Sequence, residues 1–174
     1  MTFEIELIKN IIERMRTEGA LAIIGGESLR VDTGARIPYT SDFRELRGKE
    51  PSRNEHETGL LLYDQLDEKW WTPRVVLECK LDDVTPYDAF TYSARATSHK
   101  RAHPYLRYGI LLDGRSERSG YVSPFSYTNH FDFIVRWAEE RATHAEWESF
   151  LAILEEEIQV SRDIQEIRGS AIGR

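Results

Sequence analysis

The stretch Thr72–Leu81, TPRVVLECKL, decides how this chain of 174 residues reads. In a β-strand, residues two apart share a face. Val75, Leu77 and Cys79 therefore point one way, and Val76, Glu78 and Lys80 the other. A surface strand alternates polar and apolar residues along its whole length. Here the charges arrive only at the end of an apolar run, as they would if a core strand delivered them to a site.

Working outward, GLLLYDQ (residues 59–65) precedes this strand across the polar connection LDEKWWTP, which predicts a hairpin. PYDAFTYSARATSHKRAH follows and predicts a helix opening near Thr85–Pro86, since proline is tolerated in a first turn. YLRYGILLDG then reads as a strand stopped at Asp113–Gly114. At the front, residues 3–18 place Ile5, Ile8, Ile11, Ile12 and Met15 at helical spacing, ending at Gly19. ALAII reads as a short strand stopped by Gly25–Gly26, and residues 27–58 as a polar loop with a short helix. FDFIVRWAEERA and the segment from His144 onward predict the last helices. In the final one Trp147, Phe150, Leu151, Leu154 and Ile158 form a stripe suited to core packing. The order predicts one mixed α/β domain with a central sheet flanked by helices. Its core spans about residues 3–114, and a helical part spans about 130–168.

The composition, 40% hydrophobic and 30% charged, is that of a globular domain with an ordinary core. No apolar run approaches the ~20 residues a membrane span needs, so no membrane partner is expected. The opening segment is amphipathic and partly acidic, unlike a leader peptide, and the expected compartment is the cytoplasm. A single cysteine, Cys79, excludes a disulfide within this chain and a cysteine-based zinc cluster. The net charge of −7 is unevenly spread. Residues 132–167 hold ten acidic side chains against Arg136, Arg141 and Arg162, whereas residues 95–118 hold six basic ones against Asp113 and Glu117. A local positive field attracts phosphate despite an acidic total.

Carboxylates brought together at a strand end hold a hard divalent cation through oxygen. Such a cation activates water and offsets charge on a phosphodiester, and a neighbouring lysine suits orienting that water. In this respect GLLLYDQ…RVVLECKL, with the helix and the strand YLRYGILL after it, resembles the core of the PD-(D/E)XK nuclease superfamily, the restriction-endonuclease-like fold. The resemblance covers about residues 55–112. It implies Glu78 as a metal-ligand acid, Lys80 as the catalytic lysine and Cys79 as the free middle position. It further implies Mg²⁺, with Mn²⁺ as a substitute, and DNA as substrate.

That family takes a further carboxylate from the first hairpin strand, and here the chain departs from the pattern. The aspartate is expected just before the apolar run, where this chain has Gly59. Three accounts stand open. Glu57, of the same parity as Gly59, replaces it; Asp64 serves after a register shift; or the site is weakened by the glycine. Glu6 or Glu13 of the first helix is a candidate outer acid.

Candidate DNA contacts are Arg36, Arg44, Arg47 and Arg53 in the polar segment, and Arg95, His99, Lys100 and Arg101 on the helix after Lys80. Tyr92 and His103 share that helix, and a His99–His103 zinc pair finds no further ligand pattern nearby. The expectation is a Mg²⁺-dependent DNA endonuclease of restriction type, acting as a homodimer with one site per strand. A junction-resolving or repair nuclease shares the chemistry. The alternative from another class is a nuclease-fold DNA-binding or interaction module without catalysis.

Overall fold

The computed structural model describes residues 2–34, 36–38, 55–68, 70–81, 85–113, 130–139 and 141–172. Helices α1 (Thr2–Thr17) and α2 (Ala20–Gly25) lead into strands β1 (Leu29–Thr33), β2 (Arg36–Pro38), β3 (Glu55–Glu57), β4 (Leu60–Gln65) and β5 (Trp71–Lys80). Helix α3 (Pro86–Ala102), strands β6 (Arg107–Asp113) and β7 (Phe133–Trp137) and helix α4 (His144–Ile172) complete the order.

Five strands form one mixed sheet in the order β1-β4-β5-β6-β7. β1, β4 and β5 are an antiparallel meander, and β6 and β7 run parallel to β5. The small sheet β2–β3 carries on the β1–β4 register without a slip. α3 is the crossover that a parallel β5–β6 pair requires. It starts on a capping box in which the Thr85 hydroxyl accepts from the Asp88 N–H and Asp88 accepts from the Thr85 N–H, with Pro86 in the first turn.

The sheet is covered on both sides, which is why its inner strand β5 reads as a near-continuous apolar run. Leu60, Leu62, Val75, Leu77 and Cys79 pack with α1 and α4 residues such as Ile8, Ile11, Phe150 and Leu154. Leu61, Val76 and Tyr108 pack with Ala96 of α3 on the other face, where Ile110 and Leu112 meet Ala89. Cys79 is buried in the first of these layers, and burial pushes its thiol pKa up, as expected for an unreactive cysteine.

Three elements differ from the sequence reading. Ala20–Gly25 is a helix rather than a strand, closed by the Gly26 N–H on the Ala22 carbonyl. So short an apolar run carries no period that separates the two. Leu29–Thr33, inside the segment read as loop, is a strand of the main sheet, with Leu29 and Val31 buried between exposed Arg30 and Asp32. Phe133–Trp137 is likewise a strand rather than helix, burying Val135 and Trp137 and exposing Ile134 and Arg136. The helical part of the chain beyond residue 130 is thus α4 alone among the described residues.

Candidate active site

β5 carries Glu78 to the carboxyl end of the sheet on the α3 face and leaves it 6% exposed. The Tyr108 hydroxyl, from the neighbouring parallel strand, donates to Glu78 Oε1 at 2.7 Å. The Gly59 N–H donates to the same carboxylate. Burial drives the Glu78 pKa up, and the Tyr108 hydrogen bond, the nearby Arg95 charge and the Gly59 N–H only partly offset it. The Glu4 carboxylate adds to the rise. Tyr108 is itself pushed well above the ordinary phenol range, first by burial and then by Glu78, so it stays a donor.

Lys80, one pleat further on, is the less buried member of the pair. Its Nζ lies 3.6 Å from Glu4 Oε1, the two side chains being 18% and 20% exposed. Glu4 sits in the first turn of α1, so the carboxylate of this helix that reaches Lys80 is Glu4, whereas Glu6 and Glu13 are exposed. Its signal was in the sequence. Glu4 precedes Leu7 and Ile8 by three and four residues and so stands on the buried stripe of the helix. Tyr108 carried a signal too, since a tyrosine leading into an apolar run needs a partner for its hydroxyl.

The expected first carboxylate divides among three places. Asp64 belongs to a different cluster. It lies opposite Thr72, six residues and about 20 Å from Glu78 along β5, and shares its face with Leu60 and Leu62 toward α4. There Arg74 Nε reaches Asp64 Oδ2 at 2.7 Å and Arg162 Nη2 reaches Oδ1 at 2.6 Å. Burial alone would raise its pKa, but hydrogen bonds from Arg162 and Arg74 hold it below the usual carboxylate value. A register shift does occur, with Arg74 the extra residue, yet it leaves Asp64 on that opposite face. Glu57 ends β3, paired through its backbone with Arg36, and its side chain falls outside the described residues.

Gly59 stands where the strands converge on Glu78. Its carbonyl accepts from the Thr33 hydroxyl at 2.7 Å while its N–H serves Glu78. A Cβ at this position would lie 2.8 Å from the Leu77 carbonyl oxygen and 3.0 Å from Glu78 Oε2. The close approach therefore demands glycine, and a backbone donor takes the place where an aspartate was sought.

Of the candidate DNA contacts, Arg95 lies over the Tyr92 ring at 5.7 Å and contributes positive field at Glu78. Arg101 is exposed, and Lys100 is drawn to Asp132 at 2.7 Å. His99 is corrected to an interior residue. It is 1% exposed and stacked on Tyr108 with ring centroids 5.8 Å apart, out of reach of a phosphate. His103 is equally buried, beside Tyr105. Arg36 is described only through its backbone in β2, and Arg44, Arg47 and Arg53 lie outside the described residues.

Among the described residues no three His, Cys, Asp or Glu side chains converge, which leaves no zinc-type cage. Mg²⁺ asks for less, commonly one or two carboxylates with water and substrate oxygens completing its shell. Glu78, on the strand that carries Lys80, and Glu4, 3.6 Å from the same lysine, are two hard oxygen donors at this end of the sheet, the donor type such an ion takes. No helix among the described residues is long and apolar enough to cross a membrane. No family model, curated protein or solved structure matches this chain.

Proposed function

We propose that this chain is a Mg²⁺-dependent DNA endonuclease of the PD-(D/E)XK type. The observation that carries the reading is the joint delivery of Glu78 and Lys80 by β5 to the carboxyl end of the sheet, where α3 crosses to parallel β6. An antiparallel hairpin, a crossover helix and a parallel strand follow one another along the chain, which supports the reading. A restriction-type role, with a homodimer placing one site on each DNA strand, is the form of this proposal.

Glu78 and Glu4 would hold the ion. When bound, Mg²⁺ supplies Lewis acidity, making water a better nucleophile and offsetting phosphodiester charge. Tyr108 and Gly59 fix the Glu78 carboxylate in one orientation, using two of its roughly four acceptor positions and leaving the others. Lys80, at the solvent side of that carboxylate, orients the attacking water and stabilises the negative charge that grows as water adds to phosphorus and the ester oxygen leaves. Arg95 adds a positive field from α3. Arg101, exposed on the same helix, would meet backbone phosphates beyond the cut.

The test is cleavage of supercoiled plasmid in Mg²⁺ or Mn²⁺ by the parent and by Lys80→Ala. Metal-dependent cutting that Lys80→Ala loses by about a hundredfold or more supports the proposal. Cutting that survives in Lys80→Ala, or a parent silent on every DNA tried, sinks it. One observation favours a second reading, a DNA-binding module without catalysis: the tight packing at Gly59 leaves no room for the hairpin carboxylate. DNA binding that weakens as salt rises, without cutting, is its signature.

A further inference from the structure

A helix packed on a sheet ordinarily sends its large apolar side chains inward. Helix α3 does the reverse. It buries the small Ala89, Ser93 and Ala96 with His99, and leaves Tyr87 and Phe90, neighbours three residues apart, 78% and 74% exposed. On the first turn of α1, Phe3 is 73% exposed as well.

These are the three most exposed aromatic rings among the described residues, and they sit on the turns that border the proposed active site. Phe3 precedes Glu4, whose carboxylate lies 3.6 Å from Lys80 Nζ. Tyr87 and Phe90 belong to the start of α3, the next helix after Lys80 ends β5. Exposed apolar side chains scattered singly need no explanation, but neighbours such as Tyr87 and Phe90 mark a binding surface. Charge indicates what would occupy it. α3 carries Arg95 and the exposed Arg101, while its one acid, Asp88, is bound to Thr85 in the capping box. A second copy on this face would bring two positive helices together, whereas a phosphodiester strand would be drawn to it.

We propose that Phe3, Tyr87 and Phe90 form a stacking surface for unpaired bases of the DNA strand that is cut. Every base has a flat face, so stacking on a ring is indifferent to sequence and is worth about fivefold to a hundredfold in affinity for each base. Bases inside a closed duplex are stacked on one another and reach the rings only when turned out of it. The inference rests on the nuclease reading for its ligand, and it narrows the substrate to DNA with unpaired bases beside the cut.

Fluorescence anisotropy with the full chain in EDTA, where metal-dependent cutting is silent, tests it. The probes are a labelled oligothymidylate of about 15 nucleotides, an abasic strand of the same length, and the oligothymidylate paired with its complement. The single strand should bind about tenfold or more tighter than either control. Tyr87→Ala and Phe90→Ala, at exposed positions, should each weaken it by about threefold to tenfold and leave the abasic strand unchanged. Phe90→Trp keeps a ring and should stay within about twofold of the parent. Circular dichroism verifies that each variant is folded. The proposal is overturned if no oligonucleotide binds up to about 100 μM. Equal binding of the abasic strand or the duplex, or oligothymidylate affinity unchanged in both alanine variants, overturns it as well. A dimer that Tyr87→Ala breaks in sedimentation would give the face to a second copy and overturn it too. Plasmid cleavage is read separately. Base-dependent binding without cutting removes the nuclease reading alone, and cutting with equal binding of the abasic strand removes the stacking surface alone.

Discussion

Tyr108 and Glu78 share a proton donor and acceptor across 2.7 Å between two parallel strands, in a layer closed off by α3. Glu78 is consequently held by neighbours rather than by solvent, and its orientation is set by the fold. Replacing Tyr108 by Phe keeps the ring against His99 and removes the donor. The expected cost is about 2 kcal/mol in urea unfolding at pH 8, because the abandoned acceptor is buried and ionisable. A cost near zero would show that the hydroxyl does not support the carboxylate.

The raised pKa of Glu78 fixes a pH dependence. Its burial is tolerated while the group is protonated, so its contribution is complete below its ordinary value of 4.5 and is lost as pH rises through the higher folded value. Glu78→Gln does not titrate. Its stability relative to the parent should therefore increase as pH rises above the ordinary carboxylate value. Unfolding curves collected between pH 4 and 9 (about neutral at their centre) measure this, and parallel profiles for the two proteins would contradict it.

Gly59 is expected to tolerate no side chain. Gly59→Ala forces its Cβ against the Leu77 carbonyl and should cost about 2 kcal/mol. Gly59→Asp adds a second charge beside Glu78 and should be worse, with no gain in plasmid cleavage. An active and stable Gly59→Asp variant would instead make this position a lost metal ligand.

Asp64 is expected to stabilise the fold rather than serve the reaction. Asp64→Asn leaves Arg74 and Arg162 around a neutral partner and should cost about 3 kcal/mol at pH 7. Since the Asp64 pKa is lowered from 3.8, its contribution is present above that value and disappears as pH falls through the lower folded value. The parent and variant stabilities should converge in strong acid. Mn²⁺ binding by the folded variant should match that of the parent, and its loss would return Asp64 to the site.

Facing within β5 was legible because period two is a local property, and Glu78, Lys80 and the hairpin partner at Gly59 follow from it. α3 was equally legible, its start written in Thr85 and Pro86, to which the structure adds the Asp88 half of the capping box. Glu4 and Tyr108 were harder to see, because their roles depend on which helix end and which parallel strand arrive beside Glu78, and those are long-range pairings. β1 and β7 were missed for a related reason. Each is a short strand with at least one charged residue on its exposed side, and only the neighbouring strand makes it one. Asp64 stayed among the three accounts because the sequence does not announce that Arg162, 98 residues away, lies against it.

The extra residue at Arg74 bears on how this chain tolerates insertions and deletions. Downstream of it, every residue from Val75 to Lys80 has its face assigned by counting from that point. Losing or gaining one residue there would turn Glu78 and Lys80 into the apolar layer beneath α1 and α4. Upstream, length changes in the connection between Gln65 and Trp71 leave that count untouched. Variation in loop length can accumulate on one side of Arg74, while the other side admits substitutions but no change of length.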